Sequence, residues 1–342
     1  DRARRGTGVG MMELGKLAFG AASIGNLYRA VPDDQACEVV KRAWDAGIRY
    51  FDTAPHYGFG HSENRLGAVL AELDPAQSAI VSTKVGRRLD PCPDADLSTM
   101  RQAFVSPEPF ESVFDYSYDA VMRSYEGSLK RLRRDRIDIL YAHDIGAFAH
   151  GAEPSRRFAA FMGGGYRAML ELRDSGAVGA IGLGVNEIAI CIEMLGAGEI
   201  DLIMLAGRYT LLEQDPLDEL LPLCAQRGVR LVIAGPYNSG ILAKGVRHGG
   251  AAPNFNYESA PPEIVARVGA IEDICARHGV PLAAAALQFP LAHPQVASVV
   301  PGMGSVRQVE DALALMAQPT PAALWAELKD ADLIRRDTPV PN

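Results

Sequence analysis

Five cysteines are all that the 342 residues contain: Cys37, Cys92, Cys191, Cys224 and Cys275. Their number is odd, their spacing is wide and no Cys-x-x-Cys pair occurs, so neither a disulfide framework nor a zinc knuckle has a basis, and a reducing cytoplasm is the expected compartment. Long hydrophobic runs are missing as well. No stretch approaches the roughly 18 apolar residues that a membrane helix needs, and the polar start lacks the charged-then-apolar profile of a signal peptide. Excess positive charge is also lacking: 34 Lys and Arg face 42 Asp and Glu, a formal net charge of −8. The charge is spread along the chain, leaving no basic field for nucleic-acid phosphates and no polybasic anchor for anionic lipid. Nucleic acid and membrane are therefore excluded as partners. The arginines from Arg131 to Arg136 read as a solvated helix end that complements the dipole.

What is present is an ordinary globular balance, 48% apolar and 22% charged, with no internal repeat and no linker, so the chain 1–342 reads as one domain. Short β-rich runs at Leu17–Gly20, Arg49–Asp52, Ala79–Lys84, Ile137–Tyr141, Ala177–Gly182, Leu202–Leu205, Arg230–Ala234 and Val296–Val300, most of them nearly all apolar, are the pattern of strands buried on both faces. Amphipathic stretches alternate with them: Asp33–Ala46, Ser62–Glu72, Asp119–Arg133, Tyr166–Asp174, Glu187–Leu195, Pro216–Gln226, Pro262–Arg277 and Ser305–Met316. Several end in glycine, as at Gly47, Gly176, Gly228 and Gly279, where the chain turns from helix into strand. Eight such units predict a parallel (β/α)8 TIM barrel, with an open doubly wound sheet as the competing arrangement. The opening segment to Gly15, with Gly6, Gly8 and Gly10, is expected to form a β-hairpin closing the opposite end. Two stretches rich in Pro, Gly and Asp, 86–115 and 237–261, read as long irregular loops at the C-terminal face, where barrels build their sites. The run Gly163-Gly164-Gly165 reads as a flexible entrance to the fourth helix.

Four residues with chemical potential fall at or just past consecutive strand ends: Asp52, Tyr57, Lys84 and His143. A barrel brings these ends to one rim. A partly desolvated Asp and Lys there would pair, because an unpaired buried charge is costly. The ammonium would favour the phenolate of a neighbouring tyrosine, lowering its pKa from an ordinary value near ~10, and Tyr57 would become a proton donor and acceptor. His143 would orient the substrate oxygen or share the proton. His56, His61 and Glu63 lie on one turn without a fourth spaced ligand and read as loop polarity and capping, so no metal is expected. The glycines Gly6, Gly8, Gly10, Gly182 and Gly184 complete no Gly-x-Gly-x-x-Gly, so a Rossmann fingerprint is absent.

The pattern of Asp, Tyr five positions later, Lys ending the third strand and His after the fourth resembles the aldo-keto reductase family. So do Gly47-Ile48-Arg49-Tyr50-Phe51-Asp52-Thr53-Ala54 and Ser62-Glu63-Asn64-Arg65-Leu66-Gly67. The resemblance implies a barrel binding NAD(P) across its C-terminal rim, with Tyr57 as general acid-base. It also implies cofactor contacts from Asn186, Tyr209, Pro236, Ser239, Gly240, Leu242, Gly302, Met303, Gln308 and Asp311. Ala234 stands where the family usually has a nicotinamide-stacking tyrosine, and Ala206 where it often has Gln. NADP-dependent members tend to place Lys, Ser and Arg where Gly302, Met303 and Gln308 align. A 2′-phosphate needs cationic donors, so NAD is the expected cofactor, with Arg307 as the cation one position away.

Within the family, Phe19-Gly20-Ala21-Ala22-Ser23-Ile24-Gly25-Asn26-Leu27-Tyr28, Gly182-Leu183-Gly184-Val185-Asn186-Glu187 and the segment from Leu205 to Gln214 resemble NAD-linked aldose 1-dehydrogenases. That branch contains L-fucose, D-threo-aldose and L-galactose dehydrogenases and a pyridoxal 4-dehydrogenase. The implied reaction oxidises a cyclic hemiacetal, an aldose such as L-fucose, D-arabinose or L-galactose, to its lactone. Pyridoxal, an NADPH-dependent aldehyde reduction and a non-catalytic nucleotide-binding role are the alternatives. Asn26 to Tyr28, His56, Phe59 and the two long loops are the expected substrate walls.

Overall fold

The computed structural model describes residues 12–151, 154–247 and 253–341. Eight strands form one parallel sheet: β1 (Phe19–Gly20), β2 (Tyr50–Asp52), β3 (Ile80–Val85), β4 (Ile137–His143), β5 (Val178–Val185), β6 (Leu202–Ala206), β7 (Arg230–Ala234) and β8 (Val296–Val300). Each pairs with its sequence neighbours. Parallel bridges of Leu17 with Val299 and Gly20 with Gly302 join the two ends into a ring. The eight runs expected from the sequence are the eight barrel strands, and a doubly wound sheet is ruled out.

Side chains alternate along each strand, and two separate cores follow from that period of two. Phe19, Phe51, Val81, Leu140, Ile181, Ile203 and Leu231 point outward into the layer shared with the surrounding helices. Tyr50, Ile139, Tyr141, Ala180, Leu202, Met204 and Val232 point inward and fill the barrel. Asp52 shares the parity of Tyr50, Lys84 that of Ser82, and His143 that of Tyr141. The polar residues ending β2, β3 and β4 are therefore aimed at the barrel axis, above a plug of tyrosine and aliphatic side chains.

Several local expectations change. The stretch 86–115 is ordered: Arg87–Pro91 pairs antiparallel with Phe110–Phe114, and Met100–Arg101 with Phe104–Val105. Neither Arg87-Arg88-Leu89-Asp90-Pro91 nor Phe110-Glu111-Ser112-Val113-Phe114 alternates polar with apolar residues, so this hairpin on the rim carries no period-two signal in the sequence. The stretch 237–261 carries a short helix, Ile241–Lys244, and a small hairpin of Asn254–Phe255 with Glu258–Ser259. Gly163–Gly165 is no flexible entrance: Phe161–Gly165 is a π-helical turn. A Cβ on Gly164 would sit 2.8 Å from the Tyr118 amide nitrogen and one on Gly165 2.5 Å from the Tyr116 carbonyl. These glycines serve close backbone packing.

Arg131 and Arg134 are likewise not solvated. Arg131 pairs at 2.6 Å with the wholly buried Glu63, and Arg134 is buried against Asp138 at 3.1 Å. The expected N-terminal hairpin falls largely on residues 1–11, outside the described residues, and 12–15 form no strand.

Candidate active site

Lys84, ending β3, donates from Nζ to both carboxylate oxygens of Asp52, at 2.9 and 2.7 Å, and to the Thr53 carbonyl at 2.8 Å. Asp52 also accepts from Ser82 Oγ at 2.7 Å, and Ser82 Oγ lies 3.2 Å from the Tyr50 hydroxyl. Both charges are buried, with 3% and 5% of their side chains exposed. Two opposing pulls act on such a pair. At Asp52 burial wins and raises the carboxyl, against Lys84 and Ser82. At Lys84 burial pulls downward, but Asp52 and Tyr57 together hold the ammonium above its ordinary value. With both carboxylate oxygens on the ammonium, the ionised pair is the neutral-pH state.

The Lys84 ammonium lies 4.8 Å from the centroid of the Tyr57 ring. Tyr57, His143 and His56 surround one point, with the Tyr57 and His143 rings 6.0 Å apart and those of His56 and His143 6.1 Å apart. Asp52, Lys84 and His143 are buried, and Tyr57 alone of the four keeps partial exposure, facing the mouth. The structure thus brings together all four expected residues.

The tyrosine's acidity departs from expectation. Burial pushes the Tyr57 phenol up to about 12; Lys84 pulls it down, and Asp52 cancels part of that pull. The ammonium is largely neutralised by its carboxylate, so its net field at the phenol is weak, although water at the mouth tempers the rise. Burial, with the nearby Lys84 and Arg87, holds His143 well below the ordinary histidine range, so its ring is neutral.

The surrounding wall was only partly legible. Asn26, expected to face substrate, is buried and fixes backbone, accepting from the Val31 amide at 3.0 Å and donating to the Val105 carbonyl at 3.2 Å. Phe59 is buried beneath the Arg101 guanidinium. His56 does line the site: its Nε2 accepts from Arg87 Nη1 at 2.8 Å, which leaves the proton on Nδ1 to donate to Ser112 Oγ at 2.9 Å. Burial and Arg87 drive His56 down to about 2. Arg87 also pairs with Asp144 at 2.7 Å. Neither Arg87 nor Asp144 was singled out from sequence, although both sit within three positions of residues that were. Exposed Tyr28, Phe148 and Tyr257 rise around the mouth, with the Phe148 and Tyr257 rings 6.2 Å apart.

The expected cofactor residues divide. Asn186 stands at the rim, its Nδ2 donating to the Tyr257 hydroxyl at 3.2 Å. Beside it, β6 and β7 end in half-exposed Ala206 and Ala234, each followed by glycine. A Cβ on Gly207 or Gly235 would meet only atoms 3.7 Å or farther, so this part of the rim is a bare shelf of backbone and methyl groups. Such a floor fits a flat aromatic ring, and a nicotinamide satisfies it in shape. Ser239 Oγ accepts from the Tyr257 amide at 3.0 Å, whereas the Gly240 and Leu242 amides both turn to the Tyr237 carbonyl, at 3.0 and 3.1 Å. In this conformation those two amides are not offered to a pyrophosphate.

Pro236 and Leu242 are buried. Tyr209 does not reach the rim: its buried ring packs on Phe289 and His293, and its hydroxyl meets Thr338 at 3.3 Å. Met303 is buried in the outer core. Gln308 is used in capping its own helix, accepting from the Gly304 amide at 2.7 Å while its own amide donates to the N-cap Ser305 Oγ at 3.2 Å. Gly302 and Asp311 remain exposed, and Arg307 pairs with Asp311 at 3.6 Å. A cation missed from sequence, Arg29, reaches the Gly304 carbonyl at 3.5 Å. Among the described residues no group of three or more His, Cys, Asp or Glu could hold a metal ion, and no helix is long and apolar enough to cross a membrane.

The family model for the aldo/keto reductase family matches residues 16–332. The chain belongs to this family. It is 42% identical to pyridoxal 4-dehydrogenase of Microbacterium luteolum over 97% of each protein. It is also 42% identical to D-threo-aldose 1-dehydrogenase of a Pseudomonas species, over 93% of this chain and 94% of the relative. L-galactose dehydrogenase of Arabidopsis thaliana is 30% identical over 93% and 88%. The fold is that of an aldo-keto reductase from Bacillus halodurans solved in its holo form, with a TM-score of 0.67, 25% identity and coverage of 93% of this chain and 92% of that one. It is also that of a glycerol dehydrogenase from Gluconobacter oxydans, with a TM-score of 0.72, 21% identity and coverage of 96% and 94%. The protein is an oxidoreductase of CH–OH or carbonyl groups.

Proposed function

We propose that this aldo/keto reductase, acting as one barrel domain, oxidises a cyclic hemiacetal to its lactone with NAD. The observation that carries the reading is the Tyr57 phenol held beside the Lys84–Asp52 pair and the neutral His143 at an open rim. A nicotinamide bound on the shelf at Asn186, Ala206 and Ala234 supplies the hydride acceptor. Tyr57 takes the proton of the anomeric hydroxyl, Lys84 stabilises the phenolate that precedes this transfer, and His143 orients the oxygen through its imidazole. The C–H electron pair leaves as hydride while the O–H pair closes the carbonyl, so the products are the lactone, the reduced cofactor and one proton.

An aldose is favoured as substrate by the charged wall at Arg87, Asp144 and His56, whose donors and acceptors suit hydroxyl groups. The aromatic side chains at the mouth, Tyr28, Phe148 and Tyr257, favour the second reading, pyridoxal, which also closes its aldehyde onto a neighbouring hydroxyl and offers a flat ring for stacking. The lack of a basic side chain at Gly302, Met303 or Gln308 supports NAD over NADP, although Arg29 is a further cation near the same turn.

The test is the appearance of reduced nicotinamide with a panel of aldoses and pyridoxal, each with NAD and NADP, in both directions. Oxidation of an aldose with NAD is expected. Turnover only as an NADPH-dependent aldehyde reduction, or nucleotide binding without turnover of any substrate, would overturn the reading.

A further inference from the structure

Two uncommon backbone conformations bring Arg87 and Asp144 together beside the site. Gly86 adopts φ 99° where a Cβ would strike the Tyr116 ring at 2.3 Å, and this turn swings the chain from β3 into the rim hairpin. Asp144 sits at φ 51°, the left-handed conformation that few residues with a side chain adopt and that Asp tolerates better than most. Its amide is held by the Gly184 carbonyl at 3.0 Å, and Tyr116 donates to the His143 and Asp144 carbonyls at 2.8 and 2.9 Å. The resulting 2.7 Å pair keeps 16% and 14% of its side chains exposed. Asp144 Oδ2 is also 3.6 Å from His143 Nε2, so the pair stands next to the imidazole assigned to the reacting oxygen. Nε of Arg87 and Nδ1 of His143 are buried without a hydrogen-bond partner.

Fastening the hairpin does not account for Arg87. The hairpin is already tied to the barrel by the Tyr28 amide on the Ala103 carbonyl at 2.8 Å, the Val105 amide on the Asn26 carbonyl at 3.0 Å, the Glu108 amide on the Gly58 carbonyl at 3.1 Å and the Arg101 guanidinium over the Phe59 ring. A guanidinium only donates and a carboxylate only accepts, whereas a hydroxyl does both. A hydroxyl at the edge of the pair is therefore satisfied by both partners at once.

We propose, resting on the hemiacetal reading above, that Arg87 and Asp144 are specificity residues that bind the hydroxyl on the carbon next to the reacting one. Kinetics with an aldose and its 2-deoxy analogue test this directly. Wild type is expected to prefer the parent sugar about ten- to a hundredfold in kcat/KM, the range for a hydrogen bond to a charged group. Arg87→Met should bring that preference within about threefold, chiefly through KM for the parent sugar, with nucleotide affinity unchanged. Arg87→Lys should recover part of it. If Arg87→Met does not fold, the near-isosteric Asp144→Asn supplies the same readout.

Equal handling of the two sugars by wild type, or an equal loss on both in the variants, overturns the assignment while leaving the hemiacetal reading intact. A wild-type enzyme that oxidises pyridoxal but no aldose overturns the assignment alone, and one idle on every aldose and on pyridoxal sinks both.

Discussion

Removing either charge of the buried pair while leaving the other should be costly, and removing both should be less so. Lys84→Met strands the Asp52 carboxylate with Ser82 as its remaining donor at 2.7 Å, and Asp52→Asn leaves the ammonium without a countercharge, held only by neutral acceptors, the introduced amide oxygen and the Thr53 carbonyl at 2.8 Å. Because the side chains are only 3% and 5% exposed, water cannot rescue the orphan, and each single change should cost about 3–5 kcal/mol. At roughly 2.1 cal/mol/K of unfolding entropy per residue, 342 residues give about 1.4 °C per kcal/mol, a fall of about 4–7 °C in Tm. The double variant, with two neutral side chains of similar volume, should be more stable than either single one. Urea unfolding followed by circular dichroism at neutral pH measures all four corners of the cycle. Single changes costing under about 1 kcal/mol, or a double loss equal to the sum of the two, would refute the buried-pair reasoning.

Two pH effects follow from the same site. Since the phenol is pushed up to about 12, oxidation that uses the phenolate as base should gain kcat/KM steadily as pH rises through the neutral and mildly alkaline range. A plateau already reached near neutrality would contradict this. His56, lowered to about 2, and His143, lowered well below the ordinary value, fold as neutral rings that the unfolded chain protonates. Because the unfolded state then binds more protons, stability should fall as pH drops below the ordinary histidine value of 6.5, by about 1.4 kcal/mol per pH unit for each ring. His56→Gln should remove its share of that slope; an unchanged slope would count against a neutral buried His56.

The barrel was legible because its strands are buried on both faces and are read as apolar runs, and because glycines mark the turns from helix to strand. Asp52, Lys84 and His143 were legible for the same reason: each is a charged or ionisable residue at the C-terminal end of a strand, with Lys84 following Ser82 and Thr83, and parity places it with the inward-facing residues of its strand. Tyr57 lies on a turn, yet five positions from Asp52 leave it little room to go elsewhere. The rim hairpin was not legible, since its pairing joins residues some twenty positions apart across proline and glycine turns. Arg87 and Asp144 meet only because Gly86 and Asp144 adopt positive φ, a conformation that composition does not announce. The cofactor contacts were the least secure. They rest on which way loop amides and side chains turn, and Tyr209, Leu242 and Met303 turn into the core. The acidity of Tyr57 required a sum of burial, attraction and neutralisation that only coordinates supply.

A single substitution bears most directly on the chemistry assigned to the rim. Tyr57→Phe deletes the phenolic oxygen and keeps the ring that packs near Phe104 and His143. Steady-state turnover of an aldose with NAD, measured beside nucleotide affinity from fluorescence titration, is expected to fall about a hundred- to ten-thousandfold, with affinity unaltered. Retention of more than about a tenth of wild-type kcat, outside that range, would contradict Tyr57 as the proton acceptor.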